Sequence, residues 1–248
     1  MPTHADNKQE IVKQLRQQLL RMQGNGSENN SGCQMGLGAI ERTFPNGTFP
    51  TASIHEFIAS NIEEAAASSG FISSLLSRMM DNGGTCLWIS LSQRLSTFPP
   101  ALAAFGIAPD RIIFVEVKRE RDMLWAMGEA LKCKALVAAV AELPTMDFVQ
   151  SQRLQLAAEK SRVTGFVLRS KPTGLGNTAC AARWRISPLP SVLETGVPGV
   201  GFPRWTVELL KVRNGNPGRW EVEWSEGQFV FPEREKTIVW PKTRKQIG

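Results

Sequence analysis

The sequence predicts an α/β fold: a mostly parallel, twisted sheet with helices on both faces and antiparallel strands at its C-terminal end. Three observations carry this. Strand-like apolar runs recur at IHEFI (54–58), TCLWIS (85–90), RIIFVEV (111–117), ALVAAV (135–140) and VTGFVL (163–168). Helical patterns lie between them, near 63–81, 98–105, 119–132 and 145–161. The runs are apolar at consecutive positions, as strands covered on both faces must be. After residue 200 the pattern changes: RWTVELLKV, GRWEVEW and GQFVF read as antiparallel strands, joined by the turn sequences NGNPG and SEG.

Each element has local support. Asn82-Gly83-Gly84 closes the first long helix, and Gly106 ends the next. KPTGLGNT reads as a loop, ACAARWRI as a strand, and PLPSVLETGVPGVG as a second loop. Ahead of the core, Ile11, Leu15, Leu19 and Met22 form one stripe of an amphipathic helix within residues 1–23, with Val12 beside it and Lys, Arg and Gln on the remaining face. Residues 24–35, with GNGSENNSG, have the composition of a flexible linker. The core spans 36–231, and 232–248 is a basic tail without periodicity. The N-terminal helix either docks on its own domain or binds a partner.

Composition bounds the function. The chain has 248 residues, 42% of them hydrophobic, enough for one buried core. No apolar run approaches the ~18 residues that cross a bilayer, and MPTHADNKQEIVKQ lacks the apolar stretch of a secretory signal. The four cysteines stand singly, and only His4 and His55 could join them, so the spacing argues against a metal site. Free thiols without an export signal point to the cytoplasm, with no membrane association. The net charge of +6 suits an acidic partner or a solubilising surface equally.

The stretch SIHEFIASNIEEAAASSGF (53–71) has the strand, turn and helix that normally grip a nucleotide phosphate, but its turn carries no glycine and no lysine. Together with the order of the other elements it resembles a RecA-type core. GGTCLWIS is similar to that family's second core strand, FGIAPDRIIFVEV to its next helix end and strand, GLGNT with ARWRI to the end of its second DNA-binding loop and the following strand, and ELLKVRNGNPGRWEVEWSEGQF to its closing strands. Within that superfamily the chain is most similar to the ImuA family, accessory proteins of bacterial translesion synthesis. The short length, the HEF strand, the alanine-rich turn ending in Gly70-Phe71 and LWIS carry this resemblance. It implies an adaptor without catalysis or cofactor in damage-induced, error-prone DNA repair. The partners it implies are an ImuB-like protein, a DnaE-type error-prone polymerase and RecA. A SulA-like cell-division inhibitor, also a RecA-like relic, is the alternative.

Counting back from GGTCLWIS, the phosphate-binding octet of a RecA-type ATPase falls on Ile62, Glu63, Glu64, Ala65, Ala66, Ala67, Ser68 and Ser69. Side chains occupy both glycine positions, Ile62 and Ala67. Ser68 replaces the lysine, and Ser69 stands at the magnesium-binding hydroxyl. Glu63 and Glu64 would oppose a polyphosphate, since two like charges ~4 Å apart repel by about 4 kcal/mol at an effective dielectric near 20. The water-activating glutamate falls on or near Ser92 and the magnesium-associated aspartate near Ala138. No other G-x-x-x-x-G-K-[ST] exists in the chain.

From Arg153 to Arg185 there are seven basic residues and one acid, Glu159. By resemblance RSKPTGLGNT occupies the place of a single-stranded DNA loop. Arg169, Lys171, Arg183 and Arg185 would then neutralise phosphates, with Asn177 and Thr178 donating hydrogen bonds. The bland reading is a solvated loop. The other DNA loop is reduced to Leu143–Asp147. Trp88 reads as core. Trp220 and Trp224 share a strand face, which is core or a partner surface. Trp240, in the tail, is a candidate docking residue beside the stripe of Ile11, Leu15 and Leu19.

Overall fold

The computed structural model describes residues 33–91, 99–170, 174–192 and 201–232. The N-terminal helix with Ile11, Leu15 and Leu19, residues Ser92 and Lys171, and the tail with Trp240 lie outside them.

The elements are β1 (Ile54–Ala59), α1 (Ile62–Met79), β2 (Thr85–Leu91), β3 (Ile112–Val117), α2 (Glu120–Ala130), β4 (Leu136–Ala141), α3 (Phe148–Ser161), β5 (Thr164–Ser170), β6 (Ala182–Leu189), β7 (Arg204–Val212), β8 (Gly218–Ser225) and β9 (Gln228–Val230). Among the described residues, nine strands join one sheet in the order β3-β2-β4-β5-β1-β6-β7-β8-β9. Pairing is parallel from β3 through β6 and antiparallel from β6 through β9. This is the predicted α/β class with its antiparallel end. The helix expected at 98–105 is instead a 3-10 segment, Pro99–Phe105. Two leading prolines, which supply no backbone N–H donor, suit so short a turn.

The sheet carries a core on each face. Against the first face pack α1, the 3-10 segment and residues 35–49, around Phe57, Trp184, Trp205 and Trp224. Against the second pack α2 and α3, through Met123, Met127, Leu154 and Ala158 over Ile54, Ala139 and Val167. Gly165 in β5 admits this approach, because a Cβ there would lie 2.4 Å from Ile54 Cδ1 and 2.9 Å from Met127 Cε. Cys33, Gln34 and Met35, which the sequence places in the linker 24–35, belong to the fold. Cys33 bridges to Phe49, and buried Met35 donates its backbone N–H to Glu41 Oε1 at 2.6 Å.

The antiparallel end alternates cleanly. Trp184, Ile186, Trp205, Val207, Val222 and Trp224 point into the first core. The opposite positions pair charges across the strands, with Arg185 and Arg219 on Glu208, and Arg204 on Glu221 and Glu223. Trp224 is buried and Trp220 packs beside it, so the shared face of these two is core. No described helix is long and apolar enough to cross a membrane.

Candidate functional site at the carboxyl edge of the sheet

In an open α/β sheet the carboxyl ends of the parallel strands form the usual ligand edge. Here β1 ends at Ala59 and α1 begins at Ile62, so only Ser60 and Asn61 connect them. The turn therefore falls ahead of the octet assigned by counting. Ile62 to Ser69 form no loop: they are the first two turns of α1.

Asn61 is the N-cap, and its Oδ1 accepts the Glu64 backbone N–H at 2.7 Å. Glu64 reaches back: its Oε2 accepts the Ser60 N–H at 2.7 Å and its Oε1 accepts the Ser187 hydroxyl of β6 at 3.3 Å. A helix N-terminus favours an anion because its first N–H groups lack helical partners and its dipole is positive there. In this chain a neutral amide, Asn61, caps that end, and the chain's own Glu64 carboxylate sits over the turn just ahead of it. Glu63 stands exposed beside it. Ser68 and Ser69, at the lysine and magnesium-hydroxyl positions, are buried within α1. Ala138 lies buried within β4; the residue that follows the strand is Glu142, whose Oε1 accepts the indole N–H of Trp88 at 3.0 Å. The strand end, which counting misses, is thus occupied by a carboxylate facing an indole.

The basic region is organised in a way the sequence does not reveal. β5 and β6 are both parallel to β1 and flank it. The chain must therefore return from the carboxyl end of β5 to the start of β6, crossing β1. A right-handed crossover places this segment on the α2/α3 face. Contacts locate it there: Ala179 N–H donates to Ser151 Oγ of α3 at 3.0 Å. Beneath it lies Glu56, fully buried in the middle of β1. Arg169 Nη1 of β5 donates to Glu56 Oε1, and Arg183 Nε of β6 to Oε2, each at 2.8 Å. Arg183 also donates from Nη2 to the Gly176 carbonyl at 2.8 Å. Lys211 and Arg213 hold the carbonyls of Thr178 and Ala179 at 3.2 and 3.1 Å.

The structure thus separates the residues expected to meet DNA. Arg169 and Arg183 are buried and bound to Glu56, so two of the four expected phosphate contacts are enclosed. Thr178 is buried, and its Oγ1 accepts from Cys180 N–H at 3.2 Å. Arg185 is part-exposed, 3.5 Å from Glu208. Asn177 is exposed. The missed signal is the polar Glu56 inside an apolar strand: a buried carboxylate requires a cation, and strand pairing supplies two.

His55, next to Glu56, faces the opposite core. Its ring stacks on Phe49 with centroids 4.3 Å apart. Trp184 Nε1 donates to its Nδ1 at 3.3 Å, so the imidazole proton sits on Nε2, 2.7 Å from the Pro50 carbonyl. Burial lowers its pKa to about 4, against the opposing pull of that carbonyl. No group of three or more His, Cys, Asp or Glu among the described residues is placed to hold a metal ion.

Strand order, a strand–turn–helix at the ligand edge and the antiparallel end together define a RecA-type fold whose phosphate loop is replaced by a capped helix start. The crystal structure of the RadB recombinase matches this fold with a TM-score of 0.55, covering 81% of this chain and 100% of that one at 15% identity. Protein ImuA from two strains of Caulobacter vibrioides is 34% identical over 197 residues, covering 75% of this chain and 80% of that protein. The chain belongs to the ImuA family. No family model matches it.

Proposed function

We propose that this chain is a non-catalytic, RecA-like adaptor in damage-induced translesion synthesis, acting beside an ImuB-like protein and a DnaE-type polymerase, with RecA as a further partner. Membership of the ImuA family supports the pathway. The observation that carries the non-catalytic reading is the occupied helix start: a two-residue turn whose Ser60 N–H is held by the Glu64 carboxylate, ahead of a helix capped by Asn61. A nucleotide would have to displace Glu64 and then lie beside Glu63. The magnesium-associated position is no better supplied, since Glu142 already accepts the Trp88 indole.

Isothermal titration with millimolar Mg-ATP tests this. The expected result is no heat; a Kd below about 100 μM, roughly −5.5 kcal/mol, overturns the reading. For single-stranded DNA, the enclosure of Arg169 and Arg183 leaves at most Lys171 and Arg185 as phosphate contacts of the expected four. The slope of log affinity against log salt then falls to about −1.4, where four contacts give about −3. Fluorescence anisotropy on a labelled oligonucleotide distinguishes the two slopes.

A further inference from the structure

The second face of the sheet is covered by α2 and α3, which pack side by side. Their inward stripes are Met123, Met127 and Ala130 on α2, and Leu154 and Ala158 on α3. On the outward side stand three apolar side chains. Trp125 of α2 is 69% exposed, and Val149 and Leu156 of α3, two helical turns apart, are 60% and 58% exposed. A tryptophan two residues from a fully buried methionine points away from the core by helical geometry, so the core does not require it. Scattered exposed apolar residues are ordinary, but an outward tryptophan on one helix with an exposed arginine, Arg153, on the helix packed beside it offers the two residue types enriched in binding hot spots.

The charges around these residues select the occupant. Arg121, Arg153 and Lys160 share the outward face and are exposed. Of the acids on these helices, Asp122 pairs with Arg121 at 3.5 Å, Glu129 with Lys132 at 2.6 Å and Glu159 with Arg213 at 3.4 Å, and Glu120 is exposed at the start of α2, so Arg153 and Lys160 are the cations a partner would meet. Residues 8–22 of this chain, whose polar positions are Lys, Arg and Gln with one Glu, would set cations against cations. The sequence beyond Pro232 is also net basic. A second copy meeting this face with its own would do the same.

We propose that the outward face of α2 and α3 binds an amphipathic segment of a protein partner, with apolar residues against Trp125, Val149 and Leu156 and acidic residues against Arg153 and Lys160. The inference rests on the adaptor reading only for the existence of a protein partner. Its test is separate from nucleotide titration, so either can fail alone.

The probe is a fluorescent amphipathic helix of about 18 residues with leucine on one face and glutamate on the other, compared with a matched lysine version, on the full chain. The glutamate peptide should bind at least tenfold more tightly than the lysine peptide. Trp125→Ala and, separately, Leu156→Ser should each weaken it, Trp125→Ala by about tenfold. Arg153→Glu combined with Lys160→Glu should reverse the preference. All four positions are exposed, so circular dichroism melts of the variants should follow the parent. Equal binding of the two peptides, no binding of the glutamate peptide at about 100 μM, or affinity unchanged in both apolar variants overturns the proposal. So does a dimer in sedimentation equilibrium that Trp125→Ala abolishes, since it assigns the face to a second copy.

Discussion

His55 and Glu56 are neighbours on β1, equally buried, and point to opposite faces of one sheet. On the first face His55 sits among aromatic rings that offer no compensating charge. Burial holds it neutral, and its hydrogen bonds go to an indole and a carbonyl. On the second face Glu56, fully buried, lies between two guanidiniums donated by the strands on either side. Burial alone therefore does not decide how an ionisable group is accommodated. The partners that topology brings to each face decide it, and the pleat of a strand sends adjacent residues to different partners.

The most damaging way to break this contrast is to remove the carboxylate. Glu56→Ala leaves two buried guanidiniums facing each other and should cost about 3–5 kcal/mol in a urea titration. Replacing all three ionic residues with apolar ones (Glu56→Leu, Arg169→Leu, Arg183→Met) should recover much of the loss, because the penalty comes from uncompensated charge. If the single and triple variants are equally unstable, packing rather than charge is the cause.

The other face should show itself in pH dependence. His55 has a pKa of about 4 when folded and an ordinary value of 6.5. Between these the unfolded chain binds more protons than the folded one. Stability is then complete above pH 6.5 and falls by about 3 kcal/mol as pH drops to 4. Denaturant midpoints across that window measure it, and His55→Gln should lose this component of the slope.

Gly165→Ala tests the close approach of α2 and should cost about 1–3 kcal/mol, because the new methyl meets Ile54, Met127 and Leu131. The smallest effect is expected at the exposed helix start. Asn61→Ala removes one cap bond and should lower stability by about 1 kcal/mol without creating nucleotide affinity. ATP binding gained by that variant would show that the cap, rather than the missing lysine and loop, excludes the nucleotide.

Much of the fold was legible because its signals are local. The apolar runs IHEFI, TCLWIS and ALVAAV each contain or closely match a strand, and the capping box Asp147 to Gln150 starts α3 near the expected place. The candidate site was less legible. Counting residues put the octet on the helix immediately past the turn, since only the end of β1 fixes where the loop falls. Trp125 was recoverable from helical periodicity, opposite Met123 and Met127. The roles of Arg169 and Arg183 were not: nothing near either residue names Glu56, which is far away in sequence.

The sequence by itself determined the α/β class, the antiparallel end and the loss of the phosphate-binding residues, because periodicity, turn chemistry and residue identity are properties of short segments. Only the tertiary structure decided that Glu64 folds back on the turn and touches Ser187, that the basic residues at 169 and 183 face inward, and that Trp125, Val149 and Leu156 stand exposed on two helices packed side by side. The physical reason is the parallel pairing of β5 and β6 on either side of β1. That pairing forces the connecting segment across one face of the sheet, and so converts two arginines suited to an external anion into partners of a buried carboxylate.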